Sequence, residues 1–394
     1  MTEAGKRGYR PGSPQWANLG QGAPEVGDIP NAPARIANIQ LAEEDHEYAP
    51  VDGLPELRDA VAALYNQRYR QGRISQYTRD NVAICAGGRL ALTRAVSTLG
   101  RTHLGHFLPD YTAYEELLDA FGTFVPIPIL LDPSNGYNFD HQSLNREIFG
   151  RGLSAVLLSN PCNPTGKHLR GKELNGWVQT ARDTGCTFIF DEFYSHYVYD
   201  HDSLTVSAAA HVDDVDADPV VIMDGLTKNW RYPGWRICWT VAPRPIINAI
   251  ASAGSFLDGG CSRPMQRAAL EVVNTQHADL EATALQNHFL AKRDRMVSGL
   301  KALGIHVHQP PEGGFYCWGD LSKLPEDVNT GMKFFRAALE HGVIVVPGEF
   351  FDINPGQRRA DRPSRFRHHV RFSFGPSMET IERGLAGLAT MLGT

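Results

Sequence analysis

The chain has 394 residues, 42% of them hydrophobic and 21% charged, with a formal net charge of −6. It is too long for one core of ordinary size, so two domains, or one large domain with an appendage, are expected, and the acidic balance argues against nucleic acid or an anionic membrane as partner. No apolar run reaches the roughly 18 residues that cross a bilayer, the start MTEAGKRGYRPGSPQ has no apolar signal region, and six cysteines without a C-x-x-C read as buried thiols, so a cytoplasmic protein is expected, neither exported nor anchored.

Residues 1–47 are rich in Pro and Gly (PGSPQ, GQGAPEVGDIP, NAP) and are expected to form an irregular arm that lies on another part of the chain, within a smaller domain. From Leu54 the spacing turns helical, with Leu57, Val61 and Leu64 on one face. After Tyr77, short apolar runs at 81–85, 106–108, 154–159, 187–191, 220–224 and 236–242 alternate with helix-length stretches. That alternation predicts an α/β large domain over 48–280, its mostly parallel central sheet lying between helices and its ligands at the carboxyl ends of the strands. From 281 a long polar helix runs through Arg295 and Leu300, followed by strand-like pieces at 343–346 and 369–374 and a terminal helix. This predicts a smaller α+β domain over 281–394. The stretch QRRADRPSRFRHHVR at 357–371 carries six arginines against one aspartate, either a solvated loop or a cationic rim.

The chemistry concentrates where predicted strands end. NVAIC runs into Ala86-Gly87-Gly88 and then a helix, a turn whose backbone N–H groups can hold an anion, although many such turns are only tight connections. SNPCNPTGKHL at 159–169, FIFDEFYSHY at 188–197 and DGLTKNWRYPGWRICW at 224–239 each begin near the carboxyl end of a predicted strand. Singly, Asp191 reads as a helix cap, Lys228 as a surface amine and Arg236 as a salt-bridge partner. Together the three segments bring an acid, a phenol, an amide, an amine and a guanidinium to one edge of the sheet.

The motifs Asn160-Pro161-x-Asn163-Pro164-Thr165-Gly166, Asp191-Glu192-x-Tyr194, and Lys228 with Arg236 eight residues later resemble the class I/II aminotransferases, fold-type I enzymes that depend on pyridoxal 5'-phosphate. The resemblance runs from about Asn18 to near the C-terminus. It implies that Lys228 forms a Schiff base with the cofactor aldehyde and later moves the substrate α-proton. Asp191 would keep the pyridine nitrogen protonated, Tyr194 and Asn163 would bond the ring's phenolic oxygen, and Tyr111 would stack on the ring. The Gly87-Gly88-Arg89 turn and Arg236 would hold the phosphate, with Tyr48 reaching the phosphate of a neighbouring subunit, so a homodimer with shared sites is implied. Arg371 would bind the substrate α-carboxylate as a planar fork, and Gly22 would close its backbone over the same group. The reaction implied is amino-group transfer between an L-amino acid and a 2-oxo acid, with a lyase, cyclising or carbon-bond-forming enzyme as the alternative on the same scaffold.

Two departures from the family pattern stand out. Gly225 occupies a position, three residues before the lysine, where many members carry a phosphate-binding hydroxyl; Arg89 could compensate with its charge. The acidic run Glu43-Glu44-Asp45-His46-Glu47 precedes Tyr48 and is either a solvated face or an attractor of cationic side chains. The 15 histidines show no H-E-x-x-H or Cys/His spacing, so no metal is expected. No DNA-binding module of an aminotransferase-like regulator is expected, since the family-like region starts near residue 18 and the net charge is negative.

Overall fold

The runs at 81–85, 154–159, 187–191 and 220–224 are dominated by Val, Ile, Leu and Phe, and each becomes an almost wholly buried strand, as a sheet covered on both faces requires. The computed structural model describes residues 2–199 and 203–394. In chain order, Ala17–Asn18 forms β1 in the arm, and a seven-stranded sheet is built from β2 (Val82–Cys85), β3 (His103–Leu108), β4 (Val125–Leu130), β5 (Leu153–Ser159), β6 (Thr187–Asp191), β7 (Val220–Gly225) and β8 (Cys238–Val241). Its order is β2-β8-β7-β6-β5-β3-β4, parallel except that β8 runs antiparallel to both neighbours. The carboxyl ends of β2, β3, β5, β6 and β7 therefore share one edge with the start of β8.

β4 is missing from the sequence reading because VPIPIL carries two prolines. It sits at the rim of the sheet, beside β3 alone, where a missing N–H leaves no ladder bond broken. A second sheet of four strands has the order β12-β13-β10-β9 and comprises β9 (His306–Val307), β10 (Tyr316–Asp320), β12 (Val346–Pro347) and β13 (His369–Ser373). The piece expected at 343–346 divides at Val345. β11 (Val343–Ile344) pairs in parallel with β1, tying the arm down, whereas β12 pairs with β13. The arm is also less irregular than its composition suggests, because Thr2–Lys6 forms a short helix.

Helix Pro55–Tyr69 buries Leu57, Val61 and Leu64 as their spacing requires. The long polar helix spans Thr275–Ala302, beginning before 281 because the Asn274 side chain accepts from the His277 N–H at 2.9 Å and caps it there. All six cysteines are buried and free. Among the described residues no helix is long and apolar enough to cross a membrane.

Two close contacts fix the ground beneath the sheet edge. Gly225, the last residue of β7, lies opposite Cys238, and a Cβ on it would overlap the Cys238 backbone. Three residues after Lys228, the fully buried Arg231 donates through Nε to Glu281 at 2.6 Å, and its Nη1 donates to the Gly27 carbonyl of the arm. The segment bearing Lys228 is thus bolted to the long helix and to the arm at one residue. Removing one member of a buried pair strands the other charge, so Glu281→Ala should destabilise the protein by about 3–5 kcal/mol. The measurement is urea unfolding, and an unmoved transition would show that this pair does not anchor the segment.

Candidate active site

A cavity of about 750 Å³ opens at the shared sheet edge, with Gly87-adjacent residues at one end and Arg371 of β13 at the other. Gly87 has φ 95° and precedes the helix Gly88–Ser97. A Cβ on Gly87 would overlap the Arg236 guanidinium, and one on Gly88 would lie 2.6 Å from the Phe193 ring. The two glycines are what let a helix N-terminus and a guanidinium meet with space for an anion. Arg236 takes the left-handed conformation at φ 55°, and its Nη1 donates to the Pro233 carbonyl at 3.2 Å. Arg89 lines the cavity from an exposed position. Thr227 also lines it, and its Oγ1 is buried with no hydrogen-bond partner. Gly225 has no room for the hydroxyl that many family members carry there, whereas Thr227, which the sequence did not single out, turns a free hydroxyl to the same cavity as Arg89.

Asp191, the last residue of β6, is buried at the cavity wall. Tyr114 Oη donates to its Oδ2 at 2.8 Å, and the Phe193 N–H lies 3.4 Å from its Oδ1. Burial pushes its pKa up to about 6 against these donors and the Lys228 charge. A cationic ring nitrogen beside it would pull the carboxyl back down. Tyr111 lines the cavity and packs edge-on against Tyr114, their centroids 5.4 Å apart.

Lys228 Nζ donates to the Gly22 carbonyl. Burial, then the charges of Arg371 and Arg236, lower its pKa to about 8, with Asp191 opposing. A sizeable fraction of the amine is therefore neutral near that pH and able to attack a carbonyl carbon.

Arg371 is buried, and its guanidinium lies 4.1 Å from the centroid of Tyr316. Its Nη1 donates to Asn163 Oδ1 at 2.9 Å and its Nη2 to the Gly20 carbonyl at 2.9 Å, while its Nε is buried without a partner. Since Asn163 accepts through its oxygen, its amide NH₂ is turned toward other acceptors. Tyr194 Oη contacts Tyr316 Oη at 2.9 Å, and burial keeps that phenol protonated by pushing its pKa well up. Gly22 lines the cavity, but a Cβ there would make only an ordinary contact, 3.7 Å from Tyr316 Oη. Its backbone carbonyl, rather than its small size, does the work seen here.

Other expectations fall outside the cavity. Tyr48 is 93% exposed and does not line the cavity of its own chain. The acidic run forms a 3₁₀ turn, Glu43–His46, in which Asp45 is buried and paired with Arg267 at 2.6 Å, so that carboxylate braces the arm. Of the six arginines between 357 and 371, Arg371 alone lines the cavity, while Arg359 pairs with Asp352. Thr227, Tyr114 and Tyr316 were missed. The first two stand next to or three residues from residues already singled out, whereas Tyr316 gave no chemical signal.

The chain matches the aminotransferase class I and II family over residues 14–388 and belongs to that family. It is 28% identical over 385 residues to a probable N-succinyldiaminopimelate aminotransferase of Mycobacterium tuberculosis, covering 95% of this chain and 92% of the relative. It is 27% identical over 380 residues to the aspartate/prephenate aminotransferase of Thermus thermophilus, covering 95% and 90%. Among solved structures, an aminotransferase from Mycobacterium tuberculosis aligns with a TM-score of 0.81 at 24% identity, covering all of this chain and 95% of that one. The protein is thus an enzyme of fold type I, an aminotransferase that uses pyridoxal phosphate, and the lyase or cyclising alternative gains no support. The residues present fit that cofactor: an anion cup walled by glycines, an orphan hydroxyl, a partly neutral amine and a buried acid around one cavity.

Uptake of the cofactor by apo-protein should accelerate with pH, with a midpoint near 8 as Lys228 loses its proton. Arg371→Gln removes the largest of the charges that lower this pKa, so it should move the midpoint upward. Stopped-flow absorbance across pH reads both, and an unmoved midpoint in the variant would refute the electrostatic account.

Proposed function

We propose that Lys228, Asp191 and Arg371 are the working groups of amino transfer between an L-amino acid and a 2-oxo acid. The single observation that carries this reading is that amine, acid and carboxylate-binding fork face one cavity. Bound there, pyridoxal phosphate supplies an aldehyde carbon for an amine and a ring that withdraws electrons from the substrate α-carbon. The Gly87-Gly88 turn, Arg89, Thr227 and Arg236 hold its phosphate, Tyr111 covers one face of its ring, and Asp191 keeps the ring nitrogen protonated. Tyr194 and the Asn163 amide NH₂ donate to the phenolic oxygen. Arg371 takes the substrate α-carboxylate as a planar fork, in place of the Gly20 carbonyl and Asn163 oxygen it holds in the empty cavity, and so fixes the Cα–H bond toward Lys228. Lys228 Nζ, released from the Gly22 carbonyl, would take the proton from Cα and deliver it to the carbon that was the cofactor's aldehyde, two bonds away.

Two tests follow from these roles. A panel of L-amino acids added to the holoenzyme, followed by a 2-oxo acid, should give a cofactor absorbance change that the oxo acid reverses; irreversible bleaching would contradict transfer. Arg371→Gln should cut kcat/KM by about 100-fold or more, mainly through KM for the amino acid, because a desolvated charge-assisted contact is lost.

The homodimer belongs to the same reading. Ile39, Leu41 and Tyr48 are 39%, 62% and 93% exposed along the stretch 39–48, interleaved with the exposed Glu43, Glu44 and Glu47, and a second copy would cover them. Tyr48 would then donate to the neighbour's phosphate. Sedimentation should give a dimer, and Tyr48→Phe should loosen cofactor retention roughly five- to tenfold, about one hydrogen bond, with the dimer intact. Undiminished retention would remove Tyr48 from the site.

A further inference from the structure

The four-stranded sheet carries a second group of ligand-type side chains, and it lies outside the cavity. β10 and β13 pair with Asp320 opposite His369 and Trp318 opposite Arg371, so these four residues share one face of the sheet. His308, just past β9, projects to the same place: its Nε2 is 3.6 Å from Asp320 Oδ2. One donor atom each from His308, Asp320 and His369 lies within 4.8 Å of the other two.

Asp320 and His369 are each fixed in orientation by their neighbours. Asp320 Oδ1 accepts the Ser322 N–H at 2.8 Å, which orients the carboxylate and leaves Oδ2 toward the histidines. The His369 ring is slotted against Trp318, centroids 5.1 Å apart at 17°, with Phe366 edge-on at 6.0 Å. Both its nitrogens are buried without any hydrogen-bond partner. A lone His308–Asp320 ion pair accounts for two of the three residues and leaves that imidazole unexplained, since enclosed ring nitrogens are costly to leave bare. The neighbouring His368 is spoken for by the Asn329 carbonyl at 2.7 Å and by Arg367.

We infer that His308, Asp320 and His369 bind a divalent transition cation of the zinc class. Two imidazoles and a carboxylate suit zinc, cobalt or nickel and not magnesium, which demands oxygen. Tetrahedral coordination at about 2.0–2.1 Å places donors roughly 3.4 Å apart, so the three atoms need to close by less than about 1.5 Å. Rotation of the half-buried His308 and Asp320 side chains covers that distance, and water completes the shell. No contiguous motif announces the site because its ligands come from three separate strand ends. The inference is independent of the substrate assigned to the cavity.

The experiment is calorimetric titration of zinc chloride into chelator-treated holoenzyme, with magnesium chloride as the comparison. One saturable zinc equivalent per chain is expected, with none for magnesium, and His308→Gln and Asp320→Asn should each weaken it at least tenfold. Cobalt should give d–d absorption to the red of the cofactor, lost in the same variants. His308→Gln removes an ion pair and ring contacts with His306 and His369 from a partly exposed residue, so circular dichroism and cofactor absorbance should match the parent and certify the fold. Absence of a saturable equivalent, or one unaltered in His308→Gln, overturns the assignment.

Discussion

An amine that reacts only when neutral sits beside guanidinium groups that never lose their charge, and the rest of the site is arranged around that constraint. Burial and the charges of Arg371 and Arg236 drive Lys228 to release its proton near pH 8, while Asp191 pulls the other way from the end of β6. The balance depends on placement. Arg236 reaches the cup only because Gly87 offers no side chain, and Arg371 faces the cavity because it occupies the inward register of β13.

The antiparallel strand β8 makes this placement possible. In a wholly parallel sheet every chain enters at the edge away from the ligands. β8 enters at the ligand edge, so Arg236, two residues before Cys238, stands among groups contributed by strands that leave there. The cost is crowding: β7 must end in a residue without a side chain at 225, and the unpartnered hydroxyl at the cavity belongs to Thr227.

What was legible in the sequence was what is local. Apolar runs marked the buried strands, and the three groups could be placed at one edge because Asp191 closes such a run, Lys228 follows one closely and Arg236 opens the next. Distant pairings were not legible. That Tyr114 would bond Asp191, or that 343–346 would divide between the arm and β13, depends on which strands become neighbours, and nothing in those short segments records it. Prolines at 126 and 128 hid an edge strand that tolerates them. The role of Asp45 was obscured by its neighbours: in a run of five polar residues, the one that folds inward against Arg267 looks like the rest.

The arm is pinned at Ala17–Asn18 by β11, and within four residues of that pin its carbonyls at Gly20 and Gly22 occupy Arg371 and Lys228. A tether this short, at no more than about 3.6 Å per residue, limits Gly22 to a radius of roughly 14 Å around its anchor. Those two carbonyls therefore act as built-in competitors of fixed local concentration. On the role proposed for Arg371, an incoming carboxylate would gain only the difference between its own grip on the arginine and that of the backbone it evicts. So short a tether would keep the displaced segment at the mouth of the cavity, within reach of the same two side chains.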